Sequence, residues 1–187
     1  MLAVALIAVA VVVLVGLYVV WTYNRLVRAR NRIDNSYSQI DVQLRRRYDL
    51  IPNLVETVKG YAAHERETLE AVTAARTAAM TTHDQGTPAE QARAENALSA
   101  TLKSLFALAE QYPDLKANQN FLNLQEELTS TEDRIAYARQ FYNDAVLKYN
   151  NGIQVFPGNL VAGMFGFRER EYFESEPEAQ GPVSVQF

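Results

Sequence analysis

Residues Leu2 to Trp21, LAVALIAVAVVVLVGLYVVW, are twenty consecutive uncharged positions, and no other feature constrains the fold as much. At 1.5 Å rise per residue they reach about 30 Å as a helix, the thickness of a bilayer's hydrocarbon core. A cleaved signal peptide would need a basic start and a small-residue cleavage site. Here only Met1 precedes the run, which ends in the bulky LYVVWTYN, so a retained signal anchor is expected. Tyr18, Trp21 and Tyr23 mark one interface, where amphipathic rings settle at headgroup level.

Charge sets the orientation expected for that anchor. Residues 1–47 carry seven arginines (25, 28, 30, 32, 45, 46 and 47) against Asp34 and Asp41, a balance of +5. The whole chain is −4, so residues 48–187 carry −9. Positive residues just after a span stay on the cytoplasmic side. This places the N-terminus outside, the bulk of the chain in the cytoplasm, and the protein in the cell (inner) membrane as a single-pass species. The acidic bulk argues against nucleic acid as a partner.

Beyond the span the sequence reads as all-α. Only Gly60 and Gly86 interrupt the interval between Gly16 and Gly152, and Ala, Leu, Glu, Gln and Arg dominate it. The first periodic line is Leu26, Ile33, Tyr37, Ile40, Leu44, Ile51, with no glycine or proline from Leu17 to Ile51. The spanning helix should therefore continue unbroken into water. Pro52 is expected to open a returning helix, with Asp49 as a nearby N-cap. Its apolar line is Leu54, Val55, Val58, Ala62, Leu69, Val72. Thr87, Pro88 and Glu90 have the spacing of a capping box with proline at the first helical position. A third line, Leu98, Leu102, Leu105, Phe106, stops at QYPD. The fourth, from Phe121 through Leu128, Ile135 and Tyr142 to Tyr149, alternates steps of three and four like a coiled-coil seam, and YNNG supplies its C-cap.

Four helices with short connections predict an antiparallel up-down four-helix bundle. The expected organisation is an anchor at 1–23, a bundle with a C-terminal hook at 24–167, and an acidic, largely flexible tail at 168–187. In that topology the fourth helix returns to the membrane. The apolar hook after it (Val155, Phe156, Leu160, Val161, Met164, Phe165, Phe167) should then end beside Tyr23 and Arg25. Such a patch needs cover, from the bundle end, from lipid, or from a neighbouring subunit. VSVQF at the end of the tail could add a strand to a partner.

Arg45 to Arg47 follow Trp21 by more than twenty residues, roughly 30 Å along a straight helix, too far to touch headgroups. Arg47 falls on the apolar line, where an unpaired charge is costly. Counting back along an antiparallel fourth helix puts Glu126 and Glu127 level with Arg47, and Arg139 level with Asp34. These are expected as bundle ion pairs. Arg25, Arg28, Arg30 and Arg32 follow the aromatic belt directly. They either snorkel as depth anchors or attract anionic lipid at about 1 kcal/mol per basic residue; anchoring is the simpler reading, since charge alone carries no headgroup selectivity.

Chemistry-bearing patterns are sparse. There is no cysteine, and His64 and His83 are the only histidines. HERET lacks the second histidine of a zinc-protease motif. The carboxylates at 126, 127, 132 and 133 lack the Glu-x-x-His pairs of di-metal bundles. No phosphate loop, dinucleotide fingerprint or nucleophile elbow occurs. The expectation is no catalytic residue, no metal, no cofactor and no enzyme.

Several blocks, YNRLVRARNRID, SQIDVQLRRRYDLIPNLVETVKGYAAHE, LEAVTAAR, YNDAVLKYNNGIQVFPGNLVAGMFGF and EYFE, occur in order and resemble the LemA family over nearly the whole chain. Ser36-Tyr37 departs mildly from the family's small-residue–aromatic step. The resemblance implies a single N-terminal span, a short outside N-terminus and a helical bundle inside, without an established enzymatic activity. It also implies, for some members, links to membrane proteases or to stress functions. The expected function is thus a non-enzymatic membrane-anchored scaffold that self-associates as a homo-oligomer and organises or shapes the bilayer, in envelope stress among other settings. The alternative is an accessory or adaptor subunit of another membrane protein such as a protease.

Overall fold

A computed structural model describes residues 1–173 of the chain. Among them the regular structure is entirely helical. It comprises α1 (Leu2–Lys59), α2 (Arg66–Gln85), α3 (Pro88–Ala109), the single turn α4 (Pro113–Lys116), α5 (Gln119–Gln154) and α6 (Gly158–Phe165). Residues 174–187, with the VSVQF segment, lie outside the described residues.

The first boundary departs from the sequence expectation. Pro52 lies inside α1, which runs on to Lys59 before turning at Gly60 and Tyr61. The returning helix α2 starts at Arg66, and Asp49 is an exposed residue of the helix interior instead of a cap. A proline inside a helix removes one backbone donor and crowds the carbonyl four residues back, at a cost of about 3 kcal/mol. Here burial on both sides of it opposes that cost. Tyr48, Ile51, Leu54 and Val58 are all buried, and removing each such side chain from water contributes about 1.5–3 kcal/mol. Pro52 itself faces solvent.

The start of α3 follows its sequence closely. Thr87 Oγ1 accepts from the Glu90 N–H, the Glu90 carboxylate accepts from the Thr87 N–H, and Pro88 holds the first position, where its missing donor costs nothing. QYPD does not simply end α3. Pro113 opens the extra turn α4, which buries Leu115. Asn118 then caps α5 through its side-chain oxygen, which accepts from the Phe121 N–H.

The described chain divides into two compact units. One combines Met1–Ser38 with Gln140–Glu171. Its buried residues are Leu26 and Ile33 from α1, Tyr142, Val146 and Tyr149 from α5, and Val161 and Ala162 from α6. α5 continues past the expected YNNG stop to Gln154, because Gly152 lies against Leu26 and not at a cap. A Cβ on Gly158 would collide with the Gly152 carbonyl oxygen, so this glycine lets α6 fold directly back on α5. Gly166, in the left-handed conformation at φ 71°, ends α6.

The other unit combines Gln39–Arg139 with Tyr172 and Phe173. Its core draws Ile40, Leu44, Ile51 and Leu54 from α1, Leu69 and Val72 from α2, Leu98, Leu102 and Leu105 from α3, and Phe121, Leu128 and Ile135 from α5. These are the periodic positions of the sequence. The polar side chains Arg47, Gln91, Glu95 and Thr131 are buried with them.

Candidate functional site

Among the described residues one helix, α1, is long and apolar enough to cross a membrane. Residues Leu2 to Leu17 expose their large apolar side chains, so no described part of the chain covers them. The aromatic and basic residues that follow form a collar. Tyr18 and Trp21 rings lie 6.2 Å apart, and the Arg25 guanidinium sits 5.5 Å from the Trp21 ring. Arg28 donates through Nε to the Asn24 carbonyl. Arg30 lies over Phe167 and Arg32 over Phe141. A cation over a ring face gains electrostatic attraction while its N–H edge stays open to other acceptors.

The hook meets the collar within the same unit. Tyr23 packs its ring against Phe165 at 4.8 Å and against Phe167 at 5.7 Å. α6 buries Val161 and Ala162 and turns Leu160, Met164 and Phe165 outward; Val155 and Phe156 before it are also exposed. The result is an amphipathic turn of helix that presents bulky apolar groups beside Tyr23.

Past α6 the chain runs along α5 without regular structure, fastened by side chains. The Asn150 amide bonds Arg170 twice, donating to its carbonyl and accepting from its N–H, both at 2.9 Å. Tyr149 donates to the Arg168 carbonyl, Tyr142 to the Glu171 carbonyl, and Gln154 to the Glu169 carboxylate. Burial pushes the Tyr142 hydroxyl up to about 12. Burial likewise raises the Tyr149 hydroxyl above its ordinary value. The sequence expectation assigns residues 168–171 to a flexible tail. They are held instead, because the α5 side chains Tyr142, Tyr149 and Asn150 supply the backbone partners that an irregular segment lacks.

In the second unit a polar cluster forms around Arg47, which is fully buried. Its guanidinium forks onto two carboxylates. Nη2 donates to the Glu95 carboxylate and carbonyl, and Nη1 donates to Glu132 and to Ser99 Oγ. Tyr48 donates its hydroxyl to Glu95, and Ser99 donates to Glu132 at 2.7 Å. Burial alone would raise the Glu132 carboxyl, but Arg47, the Ser99 hydrogen bond and Arg139 together hold it below its ordinary value. Alongside, His83 bridges Asp41 at 2.6 Å and the Gln91 amide, edge-on to the Tyr48 ring. His64 is exposed in the turn before α2. No group of three or more potential ligands that could hold a metal occurs among the described residues.

The expected ion pairs are re-partnered. Arg47 bonds Glu95 and Glu132; Glu127 takes Arg46. The count along the fourth helix missed this because the buried partner comes from α3. Arg139 donates to Asn96 and stacks on Phe173, while Asp34 pairs with Arg170 from the segment after α6. Glu126 is not among the residues that meet Arg47.

Comparison with known proteins adds the lineage. The model of the LemA family matches residues 36–187. The chain belongs to the LemA family. Magnetosome proteins MamQ 1 and MamQ 2 of Paramagnetospirillum magneticum are each 27% identical to it, over 86% of this chain and 68% of theirs. Protein LemA of Metamycoplasma hominis is 31% identical over 74% of this chain and 63% of its own length.

For this LemA-family chain, sequence reasoning missed Glu95, Ser99 and Asn150 as partners in these clusters. Glu95 had a signal, since it stands three residues before Leu98 on the apolar line of α3 and so had to be buried. Asn150 had none, because its partners are backbone atoms of a segment without periodicity.

Proposed function

We propose that this protein is a non-enzymatic scaffold anchored in the cell membrane by α1, with its N-terminus outside and the rest of the chain cytoplasmic. In this reading α1, α2, α3 and α5 form an antiparallel bundle, and copies self-associate at the membrane to organise or shape it. The observation that carries the reading is α1 itself. One uninterrupted helix contains both an exposed twenty-residue apolar segment and buried core positions of the folded part, so span and body are a single element. The collar of Tyr18, Trp21, Tyr23 and Arg25 to Arg32 supports a fixed insertion depth. Confinement to a surface raises effective concentration, which favours weak contacts between copies, and the exposed hook offers an apolar contact. Two relatives are named as magnetosome proteins and another as LemA, which is consistent with one fold serving different cellular settings.

The test has two arms. A single cysteine placed at exposed Ser130 in this cysteine-free chain should label only after the cytoplasmic side is opened to the reagent. Detergent-extracted protein should migrate as a discrete oligomer in blue native electrophoresis. Ready labelling in intact cells removes the orientation, and strictly monomeric particles at all concentrations remove the scaffold.

The adaptor reading is favoured by one feature, an open groove of about 760 Å³ in the second unit. Val55, Ala63, Leu69 and Ala74 line it, with Glu56, Lys59, Arg66 and Glu70 at its edges. A helix of a membrane-protein partner would suit such a groove, and crosslinking from Ala74 would then recover one partner in stoichiometric amount.

A further inference from the structure

Within the first unit, a cleft of about 410 Å³ opens between α1, α5 and the turn into α6. Thr22, Arg25 and Leu26 form one wall, Lys148 and Asn151 another, and Phe156 closes it. Thr22 is 5% exposed, yet its hydroxyl has no hydrogen-bond partner. Other helix threonines satisfy themselves locally: Thr57, Thr73, Thr77 and Thr131 each donate to the carbonyl four residues back. A buried hydroxyl without a partner is costly, and Thr22 is among the residues that line the cleft.

The chemistry of that ligand follows from the walls. Arg25 and Lys148 bring two cations, and neither has a carboxylate partner among the described residues. Arg25 lies with its face on Trp21, which leaves its N–H edge free to fork onto an oxyanion. Asn151 adds an amide, while Leu26, Val155 and Phe156 make the remainder apolar. Two cations, a hydroxyl and an amide beside an apolar surface match a phosphate joined to a hydrocarbon. Along α1 the cleft runs from Tyr18 to Leu26, on either side of Trp21 in sequence, at the depth where lipid phosphates lie if α1 spans the bilayer.

We propose that this cleft binds the headgroup phosphate of an anionic phospholipid, with Arg25 and Lys148 on the phosphate oxygens, Thr22 donating its hydroxyl, and the first acyl carbons on Leu26 and Phe156. The inference rests on the membrane-anchored reading. It adds a discrete headgroup site to what would otherwise be diffuse attraction by the arginine collar.

The single tryptophan, Trp21, reports on the site directly. Full-length protein is reconstituted into phosphatidylcholine vesicles containing, at equal mole fraction, brominated-acyl phosphatidylglycerol or brominated-acyl phosphatidylcholine. Quenching of Trp21 should favour the anionic lipid by about tenfold in relative affinity, and each of Arg25→Gln and Lys148→Gln should reduce that preference by about fivefold. Thr22→Val should weaken it and Thr22→Ser retain it, whereas Arg28→Gln, which removes only the diffuse attraction of the collar, should cost clearly less than either cation of the cleft. Quenching by the zwitterionic lipid should persist in every variant, which shows that each remains inserted. Equal quenching of the wild type by both lipids, or an equal loss for Arg28→Gln and Lys148→Gln, overturns the site while leaving the anchor standing. No quenching by either lipid overturns the anchor and the site together. Inorganic phosphate at matched ionic strength should leave the preference intact; if it abolishes the preference, the cleft takes free phosphate and the lipid assignment is wrong.

Discussion

The Nε–H of Arg76 donates to the carbonyl of Tyr48 at 2.7 Å, and Tyr48 stands four residues before Pro52. That carbonyl would ordinarily accept from the amide of residue 52, which proline lacks. A side chain of α2 thus replaces the backbone donor that α1 has lost, which explains how the helix passes through its proline. Arg76→Met should cost about 1–3 kcal/mol in urea denaturation, since it leaves a partly buried carbonyl without its partner. The same change in a Pro52→Ala background should cost much less, because alanine restores an intrahelical donor at that position. Equal costs in the two backgrounds would show that Arg76 acts for some other reason.

Arg47 makes a sharper case, because both it and Glu95 are withdrawn from water. Removing one partner of a buried pair costs about 3–5 kcal/mol, while replacing both with apolar groups can be nearly neutral. Arg47→Met should therefore destabilise strongly, and Arg47→Met with Glu95→Leu should recover at least half of the loss. Glu127→Arg should rescue nothing in an Arg47→Glu protein, since Glu127 faces Arg46. Urea midpoints of these variants decide between Glu95 and Glu127 as the partner of Arg47.

The two cases show where the sequence was legible. Steps of three and four predicted which residues are buried, and Leu44, Ile51, Leu98, Leu128 and Tyr142 all are. Periodicity reports the face of a helix but not its neighbour, so Arg47 could be placed in the core without its partner being identified. Pro52 misled for a related reason. Local propensity assigns a stop, and only the tertiary donor from Arg76 together with burial on both flanks overrides it. The run of aromatic and basic residues after the apolar segment was legible as composition alone. The Thr22 cleft was not, because it requires α5 and the turn at Pro157 to be brought against α1.

Alkaline pH should expose the Tyr142 tether. Its hydroxyl is raised from an ordinary 10.0 to about 12 by burial. A group with a raised folded value contributes stability that is complete below the unfolded value and is lost as pH rises toward the folded one. Stability should therefore fall between about pH 10 and pH 12, and Tyr142→Phe should flatten that part of the curve while costing about 1 kcal/mol at neutral pH for the lost bond to Glu171. The comparison is a pair of urea titrations at each pH. Parallel curves for the two proteins would mean that Tyr142 does not carry the alkaline transition.

Asn150 should govern whether residues 168–171 stay on α5. Its amide fills both backbone hydrogen-bonding groups of Arg170, and Asn150 is itself buried. Asn150→Leu keeps the volume and removes both bonds, at about 1–3 kcal/mol of local stability, or roughly 5- to 150-fold in the population of the opened segment. Arg168 and Arg170 are exposed, so trypsin reads that opening directly. Cleavage there should accelerate by about fivefold or more in Asn150→Leu under conditions where cleavage elsewhere is unchanged. Asn150→Asp should be intermediate, because it keeps the acceptor for the Arg170 amide and loses only the donor. Should both variants resist trypsin as well as the parent, Tyr142 and Tyr149 alone would hold the segment, and the paired bonds at Arg170 would be a consequence of its position instead of its cause.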